Sequence, residues 1–114
     1  MKSRPITLVE LPEFQKHAED LLGEEELSAL KDYLAYHPDA GDLMPGTGGV
    51  RKLRWKASGR GKRGGSRVIY YFQDMRFPIL LLTIFAKNVK TDLTKAQQNE
   101  LRGLVELINK SRRR

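Results

Sequence analysis

Two apolar runs rich in β-branched and aromatic residues, SRVIYYF from residue 66 and ILLLTIF from residue 79, are separated by Gln73 and the turn DMRFP. So short a connection returns the chain as an antiparallel neighbour, because a parallel partner needs a crossover of roughly a dozen residues or more. Both runs are apolar enough to be central strands, over 66–74 and 79–87. A third strand is expected over 49–57. There Val50, Leu53 and Trp55 are available to a core, and Lys52, Arg54 and Lys56 lie on the opposite face. Together the three predict an antiparallel meander.

Around it the pattern becomes helical. Ile6 to Glu10 reads as a short strand, and Pro12 suits a first helical position. Phe14, Ala18, Leu21 and Leu22 then recur at i, i+4, i+7 and i+8, one apolar stripe. After Gly23, Leu27, Leu30 and Leu34 resume the helical spacing until His37-Pro38 stops it. Two acidic helices, a hairpin over 12–37, are expected, followed by a loop through DAGDLMPGTGG. Thr94 and Gln97 form a capping box, and Leu101, Leu104, Val105 and Ile108 make the stripe of a last helix ending in KSRRR. The expected fold is α+β, in the order β-α-α-β-β-β-α. A small antiparallel sheet would be packed by helices on one side and open on the other. At 114 residues, 1–114 is expected to be a single domain.

The charge is unevenly spread. The formal net charge is +7, and the segment 50–67 holds eight of the 21 basic residues (Arg51, Lys52, Arg54, Lys56, Arg60, Lys62, Arg63 and Arg67) with no acidic one. Residues 10–39 are instead acidic, with nine Asp or Glu against Lys16 and Lys31. A basic centre beside an acidic helical region favours a polyanionic partner approaching from one side. The plainer alternative is a solvated basic loop.

Several function classes find no support. The chain has no cysteine, so disulfides and thiolate metal sites are excluded and a reducing compartment is expected. The N-terminal MKSRPITLVELPEF lacks an unbroken apolar core of a secretory signal, and the apolar run 79–86 is far short of the ~20 residues needed to span a bilayer. A cytoplasmic protein without a membrane partner is expected. The run Gly59-Arg60-Gly61-Lys62-Arg63-Gly64 matches G-x-G-x-x-G, but a strand follows it instead of the helix whose N-terminus would hold a pyrophosphate. His17 and His37 are the only histidines; neither has a ligand set at useful spacing, so no metal or cofactor is expected, and both read as surface residues. Trp55 reads as core, and Tyr70, Tyr71, Phe72 and Phe85 read as core aromatics before they read as base-stacking platforms.

Cationic chemistry remains. Cleaving RNA through its own 2′-hydroxyl needs a base for that hydroxyl, positive charge on the phosphate oxygens and an acid for the departing 5′-oxygen. Arg offers fixed, forked donors, and Lys crowded by cations can trade protons. The same cluster could also bind phosphate and do nothing more.

The strings GVRKLRW, GSRVIYYF and ILLLTIFAKNVKTDLT, with GRGKRGG in the hairpin loop, resemble the RelE/HigB group of bacterial toxins from type II toxin–antitoxin systems, closest to the HigB-like branch. The resemblance implies a microbial RNase-like fold and a ribosome-dependent endoribonuclease (an mRNA interferase) that inhibits translation. It also implies a cognate antitoxin, helix-turn-helix and HigA-like, that neutralises the toxin and carries the DNA contact of the pair. Carried across, the catalytic cations are Lys52, Arg54, Arg67 and Lys87. Lys56, Arg60, Lys62, Arg63 and Lys90 would contact RNA or the ribosome. The tyrosine that follows the last-strand cation in RelE has no counterpart in NVKTDLT, and no histidine lies near the C-terminus, so Lys52 and Lys87 both stand as candidate bases. Two other readings stay open: a non-nucleolytic toxin of the ParE type that inhibits DNA gyrase, and a basic RNA-binding module without activity.

Overall fold

The computed structural model describes residues 5–56, 65–87 and 92–113. Three helices and five strands follow in the order β1 (Leu8–Glu10), α1 (Pro12–Leu21), α2 (Glu24–Tyr36), β2 (Asp42–Leu43), β3 (Val50–Trp55), β4 (Ser66–Tyr71), β5 (Ile79–Ala86) and α3 (Lys95–Arg112). The local signals act where the residues place them. Pro12 opens α1, Gly23 is the N-cap of α2, and His37 ends α2. Thr94 and Gln97 exchange both capping-box hydrogen bonds at the start of α3.

The strands form one sheet in the order β1-β5-β4-β3-β2. The expected meander is its centre, with β3, β4 and β5 pairing antiparallel. Two features differ from the sequence reading. β1 joins β5 in parallel, so the sheet is mixed, and α1 and α2 supply the crossover that such a partner needs. The loop 39–49 also contains a two-residue strand, β2, antiparallel to β3.

The largest difference is the second face. Along β4 the alternation sends Val68 and Tyr70 into one cluster with Phe14 and Ala18 of α1 and Leu30 and Leu34 of α2. Ile69 and Tyr71 enter the other, with Met44, Leu93 and Val105. α3 therefore covers part of the face expected to be open, and every residue of β4 is buried. Val50 belongs with this second cluster, while Leu53 and the half-buried Trp55 join the first. The two clusters are what an α3 stripe of Leu101, Leu104, Val105 and Ile108 demands: a face to bury it.

A β-bulge explains why β5 shows no clean alternation. Ile69 faces Thr83 and the next residue, Tyr70, faces Leu81, so Leu82 is the extra residue. The slip keeps Ile79, Leu81 and Ile84 in the first cluster and Leu82 and Phe85 in the second.

The tyrosines are core residues, as their strand positions imply. The Tyr70 hydroxyl accepts from the Gly41 amide and donates to the Pro38 carbonyl, both at 2.8 Å, tying the loop after α2 to the central strand. The Tyr71 hydroxyl bonds Asn109 Oδ1 at 2.9 Å and so fastens α3. The last basic stretch is not a free tail: α3 is helical through Arg112, which donates to Gln73 Oε1 at 2.8 Å and lies 4.3 Å over the Phe77 ring.

Burial pushes the Tyr70 phenol above its ordinary value, more than the Gly41 hydrogen bond and the Arg51 charge lower it. The folded chain then holds this proton at pH values where the unfolded chain has lost it. Its contribution is complete below the unfolded value of about 10 and fades as pH rises through the folded one. Tyr70→Phe strands the Gly41 amide and the Pro38 carbonyl. Urea unfolding at neutral pH should show a loss of about 1–3 kcal/mol. The loss should shrink in alkali, where the variant lacks the titrating phenol.

Candidate nucleic-acid interface

The cations identified from sequence sort by strand parity and register. Lys52 faces Ile69, and Arg54 faces Arg67, across the β3–β4 pair. Directly opposed residues share a face, so Lys52, Arg54 and Arg67 lie on the α3 side of the sheet, in continuation of Val50, Ile69 and Tyr71. On β5, Phe85 completes the row through Arg54 and Arg67, and Thr83 completes the row through Lys52 and Ile69. One end of this face is apolar and closed by α3. The other is cationic.

Each cation has a different setting. Arg54 is exposed. Arg67 is only 8% exposed, and its Nη1 donates a long 3.5 Å hydrogen bond to the Ser66 carbonyl. Lys52 is largely covered, and its Nζ lies 3.3 Å from Asp92 Oδ2. Sequence reading passed over Asp92, which sits two residues before the N-cap of α3. The other carboxylate oxygen accepts from the Leu93 amide at 2.8 Å. Nothing in a lone Asp in a turn announces this pairing, because it is long-range and depends on where α3 docks. Partly exposed ion pairs hold by only about 0.2–1 kcal/mol, so a phosphate can take Lys52 from Asp92.

Lys56 and Lys87 are exposed at the strand ends. The Lys87 amide donates to the Gly65 carbonyl at 3.1 Å, which continues the β4–β5 pairing one step past Ala86. Gly65 has φ +65°, and a Cβ there would fall on the Trp55 carbonyl oxygen, so this glycine lets the β3–β4 hairpin close. Arg60, Lys62, Arg63 and Lys90 lie outside the described residues. Arg51, counted in the basic segment, leaves the cluster. It is on the other face, where its Nη1 reaches the carbonyls of Gly41 at 2.7 Å and Asp39 at 3.2 Å. Buried, hydrogen-bonded Tyr70 and Tyr71 offer no stacking platform.

What the arrangement can do follows from the opposed arginines. Their Cβ atoms are about 5 Å apart, and like charges directly opposite each other destabilise a sheet. A phosphate between the two guanidiniums would accept forked hydrogen bonds from each and relieve the repulsion. The Lys52 ammonium, one row away, is within reach of the same ligand's neighbouring groups.

The fold is similar to that of the E. coli toxin RelE, in the structure of a double arginine-to-alanine mutant in the free state. The TM-score is 0.55 at 16% sequence identity, covering 75% of this chain and 87% of that one. No family model matches the sequence. Among the described residues no helix is long and apolar enough to cross a membrane.

Replacing the exposed member of the opposed pair isolates the repulsion. Arg54→Thr keeps a strand-forming residue and should raise the unfolding free energy by about 0.2–1 kcal/mol at low salt. Urea titrations at two ionic strengths test this. The gain should shrink as salt screens the wild-type pair. A loss of stability at both would mean that the two side chains do not repel.

Proposed function

We propose that this chain is the toxin of a type II toxin–antitoxin pair and a metal-independent mRNA endonuclease that acts at the ribosome. What carries the reading is the Arg54–Arg67 pair, two cations directly opposed on the same sheet face as Lys52. The likeness to RelE in fold supports it.

In this reading the mRNA phosphate lies between the guanidiniums of Arg54 and Arg67. The 2′-hydroxyl gives its proton to a lysine, Lys52 or Lys87, and its oxygen attacks phosphorus. A 2′,3′-cyclic phosphate forms, the bond to the 5′-oxygen breaks, and that oxygen takes a proton from a cationic side chain. The two arginines hold the charge that builds on the phosphoryl oxygens. Lys56, Arg60, Lys62, Arg63 and Lys90 contact the RNA or ribosome backbone and supply a salt-dependent share of affinity. The HigB-like branch, a helix-turn-helix antitoxin that alone contacts DNA, and a cytoplasmic site of action belong to the same proposal.

Primer extension on mRNA after a pulse of expression tests it. New 5′ ends should appear within translated regions. Arg54→Ala, Lys52→Ala and Lys87→Ala should each lower cleavage by about 100-fold or more. Arg67 is buried, so truncation there would disturb packing together with charge. Arg67→Lys, which keeps the charge and loses the fork, is the sharper variant. Loss of supercoiling without new RNA ends would replace this reading with gyrase inhibition, and harmless expression without a partner would leave an RNA-binding module.

A further inference from the structure

The antiparallel register sets the cations of one sheet face in successive rows. Lys52 belongs to the row of Ile69 and Thr83, and Arg54 and Arg67 belong to the row of Phe85. Lys87 falls in the row beyond, where its amide pairs with the Gly65 carbonyl. Successive rows on one face are two residues apart, about 7 Å along a strand. The two arginines therefore lie between Lys52 on one side and Lys87 on the other.

This order bears on the cleavage proposed above, and the present inference rests on that reading. When a 2′-hydroxyl displaces the 5′-oxygen, the attacking and leaving oxygens stand roughly in line on opposite sides of phosphorus. With the RNA backbone lying along the strands, a phosphate held at Arg54 and Arg67 has one lysine on the side of each oxygen. One then serves as base and the other as acid, and the rows alone do not say which.

Asp92 breaks the symmetry. Asp42 faces Lys52 across the β2–β3 pair, yet the ion pair is with Asp92, whose Oδ2 lies 3.3 Å from Nζ. Asp92 is itself fixed, because its Oδ1 accepts from the amide of Leu93, a buried member of the second apolar cluster. Among the described residues no carboxylate pairs with Lys87. A base must arrive without a proton, and a lysine that gives its proton up loses its hold on a carboxylate. An acid arrives with its proton, as an ammonium held by a carboxylate does. We propose that Lys52 is the acid that protonates the departing 5′-oxygen, that Asp92 is its positioning residue, and that Lys87 is the base. The Lys87 amine takes the 2′-hydroxyl proton as the bond from the 2′-oxygen to phosphorus forms. The Lys52 ammonium gives a proton to the 5′-oxygen as its bond to phosphorus breaks. An ammonium has three N–H donors, so one can stay on Asp92 while another reaches the leaving oxygen.

An mRNA with sulfur in place of the 5′-oxygen at the cleavage site tests this, since a thiolate leaves without needing a proton. Cleavage of it and of ordinary mRNA on programmed ribosomes is compared for the wild-type chain, Lys52→Ala, Asp92→Asn and Lys87→Ala. Asp92→Asn keeps an oxygen for the Leu93 amide and loses only the charge; urea unfolding checks each fold. On ordinary mRNA, Lys52→Ala should cleave about 100-fold more slowly and Asp92→Asn about 10-fold or more. On the sulfur-linked mRNA both should return to within about threefold of wild type, while Lys87→Ala stays about 100-fold slower. Rescue of Lys87→Ala, or no rescue of Lys52→Ala, would overturn the assignment of acid and base. Wild-type cleavage of ordinary mRNA by Asp92→Asn would overturn the positioning role. If the wild-type chain cuts neither mRNA, the nuclease reading itself falls and this inference falls with it.

Discussion

The register of β4 between β3 and β5 is the constraint on which the rest depends. β4 is flanked on both edges and buried on both faces, so a slip of one residue would exchange its entire Val68/Tyr70 set with its Ile69/Tyr71 set. Tyr70 and Tyr71 pin that choice from opposite sides. One hydroxyl holds the loop after α2, the other holds α3, and both bonds fail if the strand shifts. The same register that satisfies the two apolar clusters fixes Arg67 opposite Arg54. A core that must be right therefore aligns a charge pair that stability alone would not select.

Much of the fold was legible because it rests on local chemistry. Pro12, Gly23, His37-Pro38 and the Thr94–Gln97 box mark helix ends through backbone preferences that operate within a few residues. The meander follows from short connections. What escaped the sequence is long-range. A three-residue β1 could only be placed parallel to β5 once α1 and α2 were seen to form a crossover. The second covered face was hidden because the stripe of α3 says that the helix packs, not where. The bulge at Leu82 was invisible inside ILLLTIF, where every position is apolar enough to face either way.

The cationic site divides in the same manner. The alternation VRKLRW separates Lys52 and Arg54 from Leu53 and Trp55, and this is a period-two pattern that any strand must obey. Three facts needed the fold: Arg51 serves the opposite face, Arg67 is buried, and Lys52 has an acidic partner in Asp92. Each depends on what docks against the strand, and no spacing rule encodes that.

β5 has a different environment on each of its two edges. Its β4 edge is paired along nearly its whole length, and beyond it lies the cationic row; the other edge is paired with β1 for three residues, and among the described residues the charged side chains beyond that are Glu13, Asp20 and Glu100. Opposite charges are thus held apart by the width of a strand and two apolar clusters, which keeps Glu13, Asp20 and Glu100 from neutralising Arg54 and Arg67. A polyanion is drawn to one side and turned away from the other. Asp92 is the exception, an acid on the cationic side, and its position is informative. It engages Lys52, so the ion pair restrains the lysine one row away from the opposed Arg54 and Arg67. A phosphate arriving at these two opposed cations gains charge-assisted, forked hydrogen bonds that a single arginine could not supply.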